Sequence, residues 1–297
     1  MQILITGANG LLGQHLVKLL KEEKSFRVIA TSRGENRLKN KDGYQYLPLN
    51  IESEEEVKKV ISSIKPDIII HSAAMTQVDD CETKKEQCWQ ANVKATQYLI
   101  SAAKAVNSFF LLRSTDFIFD GAAGPYDENA APNPLSYYGV SKLAAEMLLL
   151  ESGLRWAIAR TILVYGIAED MSRSNIILWV KKNLEQDKSI NVVTDQWRTP
   201  TLVQEGALCC KVIAEKKANG VFNISGKDLL TPYGRSIKTA DYFHLDKSLI
   251  KKADASTFTQ AAKRPVRTGF IIKKAESILG YQPHSFEEGI SIMAREM

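Results

Sequence analysis

No run of this 297-residue chain approaches the ~20 consecutive apolar residues that a membrane-spanning helix needs, so no membrane partner is expected. Cysteine is scarce: Cys81, Cys88, Cys209 and Cys210 form no C-x-x-C pair and have no histidine-rich segment beside them. Structural zinc is therefore not expected, no metal site is assigned, and reduced thiols in a cytoplasmic protein are the reading. An excess of one charge is missing too. The 39 basic residues stand against 34 acidic ones, a formal net charge of +5. That is too slight and too evenly spread for a nucleic-acid partner, though compatible with an anionic small ligand. The chain has no low-complexity tract and no internal repeat. No charged leader precedes the first apolar run, so no signal peptide is expected.

What is present is concentrated at the start. Ile3–Thr6 is a short apolar run suited to a strand buried on both faces of a parallel sheet. Gly7, Gly10 and Gly13 follow at three-residue spacing, ahead of a helix carrying Leu12, Leu16, Leu19 and Leu20. One glycine permits the tight turn, one the close approach of backbone to a pyrophosphate, and one the tight packing of helix on sheet. The free N–H groups at the start of that helix then face where a diphosphate binds.

Strand and helix signals alternate through the first half. Strands are expected at Phe26–Thr31, Tyr46–Leu49, Asp67–Ser72, Phe109–Ser114 and Trp156–Thr161. Helices are expected after Ser53, over Lys85–Val106 and over Ser136–Glu151. The pattern predicts an α/β fold, a doubly wound parallel sheet of the Rossmann type, with ligands at the carboxyl ends of the strands. The dinucleotide-binding domain is expected over residues 1–166. Residues 167–297 mainly form a smaller α/β substrate lobe, with the chain free to cross back. In that half the pattern is less regular. A helix is expected from Ser174-Asn175, strands at Ile190–Thr194 and Val221–Ser225, a helix over Leu229–Phe243, and a rigid loop at Arg264-Pro265.

Ser32 and Arg33 follow the second strand, where an NAD site usually carries an acidic residue for the ribose 2′-OH. None is there. Arg33 either receives a 2′-phosphate, which selects NADPH over NADH, or is solvated in a loop. After the fourth strand, the small residues of Ser72-Ala73-Ala74-Met75-Thr76-Gln77 let backbone lie against a flat cofactor. Asn92 sits on the next helix.

The chemistry lies in Ser114–Gly121, closing a strand, and Tyr137–Lys142, opening a helix. Tyr138 and Lys142, four positions apart, share one helix face. A nearby ammonium lowers a tyrosine pKa. Bringing it from 10 to about 7 takes ~4 kcal/mol, which calls for lysine and a cationic nicotinamide together. A phenol so tuned exchanges a proton at neutral pH, and Thr115 offers a hydroxyl to a substrate carbonyl.

T-G-x-x-G-x-x-G at Thr6–Gly13, S-T-D-F-I-F-D-G at Ser114–Gly121 and Y-G-V-S-K at Tyr138–Lys142 together resemble an extended short-chain dehydrogenase/reductase. Within that superfamily the chain resembles the dTDP-4-dehydrorhamnose reductase family. The likeness continues through Arg160–Gly166, Asp195–Thr201, Arg264–Phe270 and Leu279–Ile290. It implies a Thr115–Tyr138–Lys142 triad, NADPH as hydride donor with NADH as the alternative, and reduction at C4 of a nucleotide-linked 4-keto-6-deoxy sugar by a monomer or homodimer. Cofactor contacts are then expected at Gly7, Asn9, Gly10, Leu11, Leu12, Gly13, Ser32, Arg33, Asn50, Ile51, Ala73, Ala74, Met75 and Asn92, besides Tyr138 and Lys142. Substrate contacts are expected at Thr76, Val78, Asp116, Phe117, Asn175, Arg198 and Arg264, with a helix cap as the other role for Asn175. Phe117 stands where dehydratases of the superfamily have a second acid, which argues against dehydration. Leu163 stands where the reductases often have Trp. Two alternatives use similar motifs: a nucleotide-sugar epimerase, and a non-catalytic subunit resembling the regulatory β subunit of methionine adenosyltransferase.

Overall fold

A computed structural model describes residues 1–170 and 175–297; Ser174, expected to begin a helix, lies outside them. Five strands lead the order: β1 (Gln2–Thr6), β2 (Arg27–Ser32), β3 (Gln45–Pro48), β4 (Ile68–His71) and β5 (Phe109–Thr115). With β6 (Trp156–Thr161) and β8 (Gly220–Ile224) they form a seven-stranded sheet, ordered β3-β2-β1-β4-β5-β6-β8. Every pairing in it is parallel. Strand order reverses beside β1, so the ends of β1 and β4 face a crevice where ligands of such sheets bind.

Alternate residues of each central strand enter two cores, as a sheet buried on both faces requires. Ile3, Ile5, Phe109 and Leu111 pack against α1 (Leu11–Leu20), α8 (Val203–Lys216) and α10 (Lys273–Leu279). Leu4, Ile69, Phe110 and Leu112 pack against α2 (Glu54–Ile64), α5 (Ala95–Ala105) and α6 (Tyr137–Leu150). Ser53 caps α2 by accepting from the Glu56 N–H, and Glu54, Glu55 and Glu56 occupy its positive end.

The helix expected over Lys85–Val106 is interrupted. It runs as α4 (Lys85–Trp89), a π turn over Gln90–Lys94, and α5. The wider turn re-aims Asn92, as such insertions do near functional sites. A short helix, α3 (Val78–Thr83), precedes it.

The chain crosses back after residue 166. Strand β8 pairs with β6, and α8 lies against α1 with Cys209, Cys210 and Ile213 inward. All four cysteines are buried and unpaired. The remaining pieces are α7 (Ile176–Leu184), β7 (Ile190–Val193), α9 (Pro232–Tyr242), β9 (Ile250–Ala253) and α11 (Phe286–Ala294). Strand β9, which the sequence pattern does not announce, pairs in parallel with β7. Helix α9 starts later than expected because Thr231 caps it and Pro232 takes its first turn.

Candidate active site

The glycine loop closes a cradle between α1 and the segment after β4. Gly7 has φ of +73°, and a Cβ there would sit 2.8 Å from the Ala73 nitrogen. A Cβ on Gly13 would sit 2.1 Å from the Gly7 carbonyl oxygen. Only hydrogen fits at either place. Gly10 caps α1 without a side chain, leaving the first-turn N–H groups of Leu11, Leu12 and Gly13 to a ligand, and a diphosphate suits them. Leu12 is itself buried in the core, so it offers backbone only.

Asn9 ties this loop to the turn after β2. Its Nδ2 donates to the Glu35 carbonyl at 2.8 Å and its Oδ1 accepts from the Arg37 N–H at 3.0 Å. The nearby Ser32 carbonyl accepts from the Leu49 N–H. Arg33 is exposed, yet its Nη1 lies 3.3 Å from the Glu52 carboxylate. That acid is remote in sequence from the end of β2 and was not anticipated. Asn50 shapes the turn that presents it, accepting from the Glu52 N–H at 3.2 Å, and Ile51 is buried beside it.

Asn92 is 1% exposed, and its carboxamide is fully engaged within the protein. It accepts from the Met75 N–H at 2.7 Å and donates to the Met75 carbonyl at 3.0 Å and the Ser141 hydroxyl at 2.9 Å. Asn92 therefore holds the Ala73-Ala74-Met75 backbone against α6, a positioning role in place of the expected direct contact.

Thr115 ends β5 and Tyr138 lies in the first turn of α6, capped by Ser136. The two elements meet because Gly139 has no side chain: a Cβ there would lie 2.1 Å from the Phe117 carbonyl oxygen. Tyr138 is 8% exposed, with its ring edge-on to Phe117 at 5.7 Å, and Val78, Cys81 and Cys88 share the cluster. Burial pushes the phenol up to about 12, while a hydrogen bond with the Thr115 hydroxyl and the charge of Arg113 pull against it. Lysine and a cationic nicotinamide together are expected from the sequence to lower this pKa; within the protein itself desolvation raises it. Lys142, one turn on and also buried, donates to the Arg113 carbonyl at 2.8 Å. Burial lowers it to about 8, with the Glu146 carboxylate countering. Glu146 is itself locked to Arg160 at 2.7 Å.

Arg113 escaped the sequence reading because its place inside a strand reads as ordinary alternation. Its guanidinium donates to Thr161, and among the described residues its Nε has no hydrogen-bond partner.

The expected substrate contacts divide. Thr76, Val78 and Phe117 border the Tyr138 cluster or the segment leading to it. Asp116 and Arg198 instead bind each other, Nε to Oδ2 at 3.3 Å. Arg198 also donates to the carbonyls of Trp197, Val266 and Pro265, so few of its N–H groups remain for a ligand. Arg264 is committed to Asp79 at 2.7 Å. Asn175 caps α7, accepting from the Leu178 N–H at 3.1 Å, the other role considered for it.

Comparison with known proteins gives the family. The family model described as RmlD substrate binding domain matches residues 1–297. A methionine adenosyltransferase 2 subunit beta of Xenopus tropicalis is 33% identical over 97% of this chain and 85% of its own. A dTDP-4-dehydrorhamnose reductase of Aggregatibacter actinomycetemcomitans is 30% identical over 97% of both. The crystal structure of dTDP-4-dehydrorhamnose reductase from Bacillus anthracis, in complex with NADP, superposes with a TM-score of 0.85 at 26% identity, covering 100% of this chain and 99% of that one. The chain therefore belongs to the dTDP-4-dehydrorhamnose reductase family of extended short-chain dehydrogenases/reductases, which are NAD(P)-dependent oxidoreductases.

Proposed function

We propose that this protein uses NADPH to reduce the C4 ketone of a nucleotide-linked 4-keto-6-deoxy sugar. The observation that carries the reading is the convergence of Thr115, Tyr138 and Lys142 in one buried group beside a glycine loop that leaves a helix N-terminus open. A bound dinucleotide would supply the hydride; the first-turn N–H groups of α1 would hold its diphosphate and Arg33 would meet its 2′-phosphate. The Thr115 hydroxyl steadies the substrate carbonyl oxygen. Tyr138 holds its proton at neutral pH, with a phenol near 12, so its Oη is poised to donate to the alkoxide that reduction produces. Lys142 would hold the nicotinamide ribose, and the Glu146 carboxylate sustains its charge.

The test is NADPH oxidation with a panel of nucleotide-linked 4-keto sugars. Tyr138→Phe is expected to lower kcat by ~10²–10⁴-fold with NADPH affinity retained. Turnover unaffected by that substitution overturns the reading.

A second reading has its own support, the 33% identity to methionine adenosyltransferase 2 subunit beta. In it the same cleft binds dinucleotide while the chain serves a partner. Co-purification with a synthetase, and no turnover on any keto sugar, would select it.

A further inference from the structure

Arg235 lies one turn into α9 and is 6% exposed. Its Nε makes a long 3.4 Å bond to the Thr231 carbonyl of its own helix. Among the described residues no carboxylate forms an ion pair with it, and Met171, Ser172, Arg173 and Ser174 contribute no acid. Its charged neighbour is another cation. Burial, together with the Arg198 guanidinium, pulls Arg235 down to about 10. Arg198 has Asp116 as its carboxylate, so two buried guanidiniums share a single negative charge. An unpaired buried cation is costly, and the positive end of α9 adds to the cost.

The place of this excess charge is informative. The Arg198 and Leu230 backbones pair through N–H to carbonyl bonds of 3.0 and 2.8 Å, which seats the start of α9 beside Asp116 and therefore near Thr115. Pro232, three positions before Arg235 and on the same helix face, lines a cavity of about 410 Å³ with Asn175, Trp179, Val193 and Phe258. Arg235 thus belongs to the helix that supplies Pro232 to that cavity, and its charged neighbour Arg198 is the partner of Asp116, next to Thr115.

We infer that Arg235 is the receptor for an oxyanion carried by the substrate, and that the bound anion completes the Asp116–Arg198–Arg235 charge cluster. This rests on the nucleotide-sugar reading above and gives it a residue not otherwise committed. The oxyanion is either the diphosphate or a carboxylate on the sugar. Binding of inorganic pyrophosphate, dTDP and glucuronate to the whole protein, measured calorimetrically without NADPH, separates the two sources. Arg235→Met should weaken whichever probe binds by ~10-fold or more. Arg235→Lys should recover part of the loss. Losing the charge should also raise the melting temperature of the ligand-free protein, the opposite of a merely structural role. Should Arg235→Met not fold, Arg235→Gln serves the same comparison. Binding of none of the probes to the wild type, equal binding to the variant, or a lower melting temperature with unchanged affinity overturns the inference. None of these readouts involves turnover, so the inference can fail while the reductase reading stands, and the reverse.

Discussion

The Arg198 guanidinium and the Asp116 carboxylate form a buried ion pair, Nε to Oδ2 at 3.3 Å, with side chains 4% and 2% exposed. Asp116 also accepts from the hydroxyls of Thr268 and, at 3.2 Å, Thr115. Burial drives the carboxyl upward while Arg198 draws it down. The pair joins the end of β5 to the loops after residues 195 and 264, so the orientation of the Thr115 hydroxyl depends on segments far along the chain.

Asp116→Ala strands a buried guanidinium and is expected to cost about 3–5 kcal/mol of unfolding free energy. The double variant with Arg198→Met should cost much less than the two single changes summed. Urea unfolding of the four proteins measures this, and additivity would show that the pair is not coupled.

Gly139→Ala puts a methyl 2.1 Å from the Phe117 carbonyl oxygen, so α6 must move away from β5. Overpacking of this kind costs about 1–3 kcal/mol. A shift of about 1 Å between Thr115 and Tyr138 is expected to lower kcat by ~10²-fold. NADPH affinity, measured by fluorescence titration, should change far less than kcat.

His71 is held neutral, between the Thr6 hydroxyl at 2.7 Å and the Thr96 hydroxyl at 3.1 Å, and burial lowers it from 6.5 to about 3. The unfolded chain binds the proton more readily than the folded one. Stability from this group is therefore full above pH 6.5 and falls as the pH drops toward 3, by roughly 1.4 kcal/mol per unit. Unfolding curves from pH 7 to pH 4 should show this loss, and His71→Gln should flatten it.

Arg33→Ala should weaken NADPH by ~10-fold or more while leaving NADH nearly unchanged, since a charge-assisted bond to the 2′-phosphate is lost. Glu52→Gln should have the opposite effect on NADPH, because Arg33 is then released from its 3.3 Å partner. Dissociation constants for both dinucleotides test the two substitutions together.

Much of the fold, and the spacing of Tyr138 and Lys142, was legible in the amino-acid order because both are local. A four-residue spacing places Tyr138 and Lys142 on one side of a helix whatever surrounds it. Apolar runs such as Ile68–Ile70 read as strands buried on both faces, and the glycines around α1 state where backbone must approach backbone. Ser53 and Ser136 marked helix starts by the same local chemistry of an oxygen accepting from an N–H three residues on.

Other features had no local signature. Strand β9 forms because β7 offers it an edge, and the π turn at Asn92 forms because Met75 and Ser141 await its carboxamide. Whether an arginine meets a ligand or another part of the chain depends on partners remote in sequence: Asp116 for Arg198, Asp79 for Arg264, Glu52 for Arg33. The sequence by itself determined the parallel α/β class, the open N-terminus of α1 and the placing of Tyr138 and Lys142 on one helix face, since spacing and backbone freedom act over a few residues. Only the tertiary structure decided which charges are neutralised inside the protein and which, like Arg235, have no carboxylate partner among the described residues. Desolvation and ion pairing depend on what packs alongside, and that is settled when the whole chain has folded.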